Sequence, residues 1–101
     1  MAGQFTFSAE VWVWPGDTPW HFISLPQEVA DEIEVLAQGK ERGFGSVPVD
    51  VSSGDAHWRT SLFPSKQAQT YLLPLKKQVR QQLGCAEGSR IKVTLRIAES
   101  P

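Results

Sequence analysis

With one cysteine, Cys85, in 101 residues, the chain has no second thiol for an intramolecular disulfide, so packing has to hold the fold together. No apolar run approaches the roughly 20 residues needed to span a bilayer, because Glu, Lys, Gly or Pro interrupts every candidate. No charged leader with an apolar stretch and a small-residue cleavage site opens the sequence, and the expected address is the cytoplasm. Bases are scarce in the first half: residues 1–56 carry Lys40 and Arg42 against nine acids, a net −7. Residues 57–101 reverse this, with eight bases against Glu87 and Glu99, a net +6. The overall charge of −1 does not suit a dedicated nucleic-acid binder. The plainest expectation is that the halves interleave and the charges pair across the surface for little energy.

The 41% apolar content and the length fit one domain, 1–101, with one core. A domain of this size is marginally stable, so most of the four Trp and five Phe are expected inside.

Phe5, Phe7, Ala9, Val11 and Val13 alternate with Thr6, Ser8, Glu10, Trp12 and Trp14, the period of a strand with one face on a core. Pro15-Gly16-Asp17 ends it, and Trp20–Leu25 is a second β-prone run. Pro26 suits the first position of a helix, which places Val29, Ile33 and Leu36 on its buried face and ends at Gly39. Lys40–Ser46 is a glycine-bearing connector. Gly43 and Gly45 around Phe44 lack the strand, helix and Lys-Ser/Thr context of a phosphate loop. Val47, Val49 and Val51 lead through Ser52-Ser53-Gly54-Asp55 into His57–Phe63, the clearest hairpin in the chain. Pro48 is expected at an edge or bulge, because it has no N–H for a ladder. After Tyr71-Leu72-Leu73, Pro74 is expected to start a second helix with Leu75, Val79 and Leu83 as its buried stripe, ending at Gly84. Ile91, Val93, Leu95 and Ile97 then alternate with Arg90, Lys92, Thr94 and Arg96 in a last strand.

The expected order is β-β-α-β-β-α-β: a mostly β α+β fold with a curled, mainly antiparallel sheet or small barrel of five or six strands and two short helices. Trp20-His21-Phe22-Ile23 running into Leu25-Pro26, Gly45-Ser46-Val47-Pro48-Val49, His57-Trp58-Arg59-Thr60-Ser61-Leu62-Phe63-Pro64 and Tyr71-Leu72-Leu73-Pro74-Leu75-Lys76-Lys77 resemble an uncharacterised bacterial family, the domain of unknown function nineteen-oh-five. The resemblance runs from Phe5 to Ile97. It implies a small split β-barrel, similar to the barrels of transition-state regulators and antitoxin DNA-binding subunits. Relatives often carry a further bacteriocin-protection-type domain, which is not among these residues. The family has no established activity, and barrel likeness alone assigns none.

Catalytic chemistry finds no local support. His57 and Ser61 share a strand face, but four residues of extended chain hold their backbones roughly 13 Å apart. His21, His57 and Cys85 lack paired-ligand spacing, so neither a metal nor a cofactor is expected, and Cys85 reads as a buried, inert thiol. The expectation is a non-enzymatic binding or interaction domain. Its candidate site is Trp58, Arg59, Ser61, Tyr71 and Lys76, with Lys76 in the first turn of the second helix, for a small anion or a peptide against an aromatic wall. Trp12 and Trp14, on the face opposite Phe7 and Val11, are either covered by the helices or a contact surface for a second copy or a protein partner. The runner-up is DNA binding, which needs Lys77, Arg80, Arg90, Lys92 and Arg96, with Lys76, in one basic patch.

Overall fold

The computed structural model describes residues 3–39 and 45–98. The connector around Gly43 and Phe44, with Lys40 and Arg42, lies outside the described residues. Seven strands and two helices follow in the order β1 (Gln4–Glu10), β2 (Trp12–Trp14), β3 (Trp20–Ser24), α1 (Gln27–Leu36), β4 (Val47–Ser53), β5 (Ala56–Ser65), β6 (Thr70–Pro74), α2 (Lys77–Leu83) and β7 (Arg90–Ile97). The strands form one antiparallel sheet in the order β1-β7-β4-β5-β6-β3-β2. No helix among the described residues is long and apolar enough to cross a membrane.

The strand count exceeds the five or six expected, for two reasons. The first alternating run is broken at Val11, so that one extended segment supplies both ends of the sheet. Val11 turns its backbone to the loop before β7 instead, donating to Ser89 O at 2.8 Å and accepting from Gly88 N at 2.8 Å. Because β1 and β2 are joined through this one residue, the sheet has to curl into a half-barrel. The second addition is β6, which the sequence pattern leaves as an approach to a helix.

Pro74 ends β6 rather than starting α2. It lies opposite Phe22 on β3, Leu75 follows with 2% exposure, and Lys76 is the extended N-cap of α2. Both Leu75 and Lys76 therefore precede the helix that was expected to contain them. The cause is β3: Leu75 N donates to His21 O at 2.9 Å, which continues the strand pairing one residue beyond the proline. The α1 boundary differs less. Pro26 is its N-cap and Ala37 its C-cap; the buried face is Ala30 and Ile33, continued by Ala37, while Leu36 is exposed. The β4–β5 hairpin turns on Gly54-Asp55 alone, because Ser52 and Ser53, expected in the loop, pair with His57 and Ala56; Gly54 has φ 58°, the left-handed conformation that glycine adopts without strain. Pro48 sits in an interior strand rather than an edge, at the end of β4 beyond its register with β7.

The core is aliphatic, against the expectation that Trp and Phe fill it. Val11, Ile23, Ile33, Val47, Val49, Leu62, Leu73 and Leu95 are all fully buried. Among the described Trp and Phe residues, Phe7 alone is buried, and Trp14, Trp20 and Phe63 are exposed. A tightly curled sheet leaves a narrow interior, which short branched side chains fill and indoles do not. α1 packs mainly on β6 and α2 on β5, and Ala30, Ile33 and Val79 join the same core.

Candidate functional site

The ladder between β5 and β6 covers Phe63↔Leu72 to Ser65↔Thr70 and stops. Two residues further, Pro74 would stand level with Ser61, and it has no N–H to offer. The ladder to β5 ends there, while Pro74 stays opposite Phe22 of β3 and Leu75 N donates to His21 O; Leu75 is buried and α2 begins after Lys76. The result is a notch between β3 and β5 of about 540 Å³. Thr60, Ser61 and Phe63 of β5 line one side, Trp20 and His21 of β3 the other, and Lys76, Lys77 and Arg80 of the α2 region the rim.

The charges in the notch are of one sign. Lys76, Lys77 and Arg80 line it, with no Asp or Glu among the lining residues. Arg80 is held in place: its Nη1 donates to Leu75 O at 3.0 Å and lies 2.9 Å from His21 Nδ1. An arginine cannot accept, so His21 Nδ1 is the acceptor and the ring proton sits on Nε2 in the neutral form. That leaves Arg80 Nε and Nη2 for a ligand. Trp20 and Phe63, 57% and 46% exposed, supply apolar surface at the same opening.

The five residues proposed from the sequence do not meet in one place. Ser61 and Lys76 share the notch. Tyr71 is buried and lines a smaller depression beside α1. Trp58 is half-buried opposite Val51 and packs against the core, and its Nε1 is buried with no partner among the described residues. Arg59 is on the outer face, where its Nε donates to Asp50 Oδ1 at 2.9 Å. That hydrogen bond holds the Asp50 carboxyl below its usual range. Its contribution to stability is present above the ordinary carboxylate range and is lost as pH falls through the lowered value; both groups reach solvent, so salt screens it.

Trp20, His21 and Phe63 were in neither sequence-derived set, and Lys77 and Arg80 were placed only in the DNA-binding one. Their signal was the proline at 74, readable only with the β5–β6 register. The basic residues also divide. Lys76, Lys77 and Arg80 ring the notch, while Arg90, Lys92 and Arg96 lie along β7, where Arg90 is opposite Glu10 and Arg96 is opposite Asp50. Trp12 and Trp14 pack with Phe22 at centroid separations of 5.3 and 6.5 Å, and Trp12 Nε1 donates to Ser24 Oγ. Neither helix is their principal neighbour; the rings cover one another.

The sequence profile of the family described as domain of unknown function DUF1905 matches residues 7–95. The chain belongs to that family. No curated protein matches it. The matched span of the DUF1905 domain runs from β1 into β7 and so includes every strand and helix that frames the notch. Nine of the twelve residues lining the notch come from Trp20–Pro26, His57–Pro64 and Tyr71–Lys77, three of the four segments that carry the family resemblance.

Cys85 of the DUF1905 domain is half-buried after α2, and burial pushes its thiol up despite the opposing charge of Arg80. A raised value leaves less thiolate at a given pH. Alkylation by iodoacetamide at pH 8 is therefore expected to run slower than for a free cysteine, and to accelerate when urea unfolds the domain. Equal rates with and without urea would show an accessible thiol.

Proposed function

We propose that this DUF1905 domain is a binding module, a small split barrel whose split, the notch at Pro74, takes a ligand joining an anionic group to an apolar or planar one. The observation that carries this reading is the pairing of three cations, with no carboxylate among the lining residues, and two exposed aromatic rings at one opening. The volume of about 540 Å³ lies within the range of small-molecule pockets. Arg80, fixed by Leu75 and His21, presents its guanidinium already oriented, which lowers the ordering cost of gripping an oxyanion. The reading keeps Ser61 and Lys76 from the sequence-derived site and replaces Trp58, Arg59 and Tyr71 with Trp20, Phe63 and Arg80. No residue in it is assigned a catalytic role.

DNA binding is the weaker reading, because the β7 bases alternate with Glu10 and Asp50 rather than extending the notch cations. A duplex tracking both groups would meet those carboxylates on the way.

Phenyl phosphate, inorganic phosphate and neutral benzyl alcohol, titrated into ¹⁵N-labelled domain, test the reading. Phenyl phosphate is expected to bind best and to shift the amides of Trp20, Ser61 and Lys76. Reversing two exposed charges with Lys76→Glu and Lys77→Glu should weaken it at least about tenfold, which corresponds to ~1.4 kcal/mol. Absence of saturable shifts, or shifts unchanged in the double variant, would sink the reading.

A further inference from the structure

We infer that the partner of the notch is helix α1 of a second copy of this domain, which lays Val35 and Leu36 against Trp20 and Phe63 and its carboxylates on the notch cations; this rests on the notch being the binding site. Unpaired charge carries the inference. The acidic first half and the basic second half do not neutralise each other within the chain, since Arg59–Asp50 is the one ion pair among the described residues. Glu28, Asp31, Glu32 and Glu34 stand exposed on α1 with no cation paired to them among the described residues. Lys76, Lys77 and Arg80 in the notch likewise have no carboxylate.

The acidic helix also carries apolar surface. With Ala30, Ile33 and Ala37 buried, α1 presents Asp31, Glu32, Val35 and Leu36 together on its outer side, at the three- and four-residue spacings of neighbours on a helix. Val35 is 64% exposed and Leu36 37%. The notch is the counterpart in both respects, with two exposed rings at its opening and cations on its rim. Burial of an aliphatic pair on those rings supplies affinity, and the opposite charges around it fix the register. One chain does not make this contact with itself. Asp31 and Glu34 border Ser65 and Thr70 at the start of β6, the notch opens at Pro74 at its end, and no ion pair joins the two sites. Two copies that make the contact reciprocally close a two-fold dimer in which each α1 fills the other's notch.

Sedimentation equilibrium of the unaltered domain is expected to show a concentration-dependent rise from the monomer mass toward the dimer. Phenyl phosphate, competing for the notch, should return it to monomer. Two charge-reversed variants identify the contact: Asp31→Lys with Glu32→Lys on α1, and Lys76→Glu with Lys77→Glu at the notch. Each alone sets like charges against each other, and its association should weaken at least about tenfold. Mixed in equal amounts, the two place acid against base at both contacts, and the dimer should return. A dimer that neither variant weakens, or that mixing of the folded variants does not restore, overturns the inference. A domain that stays monomeric to millimolar concentration while binding phenyl phosphate also overturns it, and the anion site stands with another occupant. If the domain neither associates nor binds phenyl phosphate, both readings fail. Should a variant not fold, dilution of the unaltered ¹⁵N-labelled domain decides the matter: the amides of Val35 and Leu36 should shift together with those of Trp20 and Lys76, and shifts confined to other residues overturn the inference.

Discussion

Leu73→Ala is expected to cost about 3 kcal/mol, within the roughly 2–5 kcal/mol of large-to-small core substitutions. For a domain of this length that lowers the melting temperature by roughly 12–20 °C. Leu73 is fully buried at the centre of β6, opposite Ile23, in the cluster that holds Leu25, Ile33, Leu75 and Leu95. Truncation there leaves a cavity between strands whose backbone hydrogen bonds prevent collapse. The contrasting substitution is Trp20→Ala. Its side chain is larger, but it is 57% exposed at the mouth of the notch, and the expected loss is below about 1 kcal/mol. Thermal unfolding followed by circular dichroism decides between them. A larger loss for Trp20 than for Leu73 would place the stabilising packing in the aromatic hairpin instead of the aliphatic interior.

The larger effect is expected at Val11. This residue is fully buried and joins the two ends of the sheet, with both of its backbone groups bonded to the turn before β7. Val11→Asp puts an ionised carboxylate among the apolar side chains of the core, a desolvation penalty of several kcal/mol. It also forfeits about 1.5–3 kcal/mol of side-chain burial. Against a total stability on the order of 5–15 kcal/mol, the domain should be largely unfolded at neutral pH. The expected result is a collapsed amide spectrum at pH 7 with partial recovery as acid neutralises the carboxyl. Glu10→Ala, one residue earlier and exposed, should leave the spectrum dispersed. A dispersed spectrum for Val11→Asp would mean that the two ends of the sheet part without loss of the fold.

These two experiments also separate what local pattern foretold from what it did not. The alternation at Val47–Val51 and Ile91–Ile97 was legible because each strand has one face in a core and period-2 patterning has no other simple source. Gly54 announced its turn for the same local reason, a positive φ. The aromatic residues misled, because side-chain size says how much area could be buried and not whether the enclosed space accepts it. Trp12 and Trp14 were read on the outer face, and they do lie there, packed against Phe22 in tilted and edge-on contacts.

Pro74 shows the limit most clearly. A proline after Leu-Leu is compatible with the first turn of a helix or with the last residue of a strand, and the local sequence weighs them equally. His21, 53 positions earlier in the chain, decides it by accepting the Leu75 amide. The same long-range pairing determines which residues gather at the notch. Ser61 and Lys76 reach it together, while Arg59, two residues from Ser61, engages Asp50 on the outer face.

By itself, then, the sequence determined the class of fold, the hairpin and the last strand, because patterning and turn residues are properties of neighbouring positions. It also carried the family resemblance that the profile match established. The tertiary structure alone decided that one extended segment serves both ends of the sheet, that Pro74 ends the ladder between β5 and β6, and that Lys76, Lys77 and Arg80 separate from the bases of β7. Those outcomes depend on strand register and curl, which arise from contacts between residues far apart in the chain and leave no trace in any short window of it.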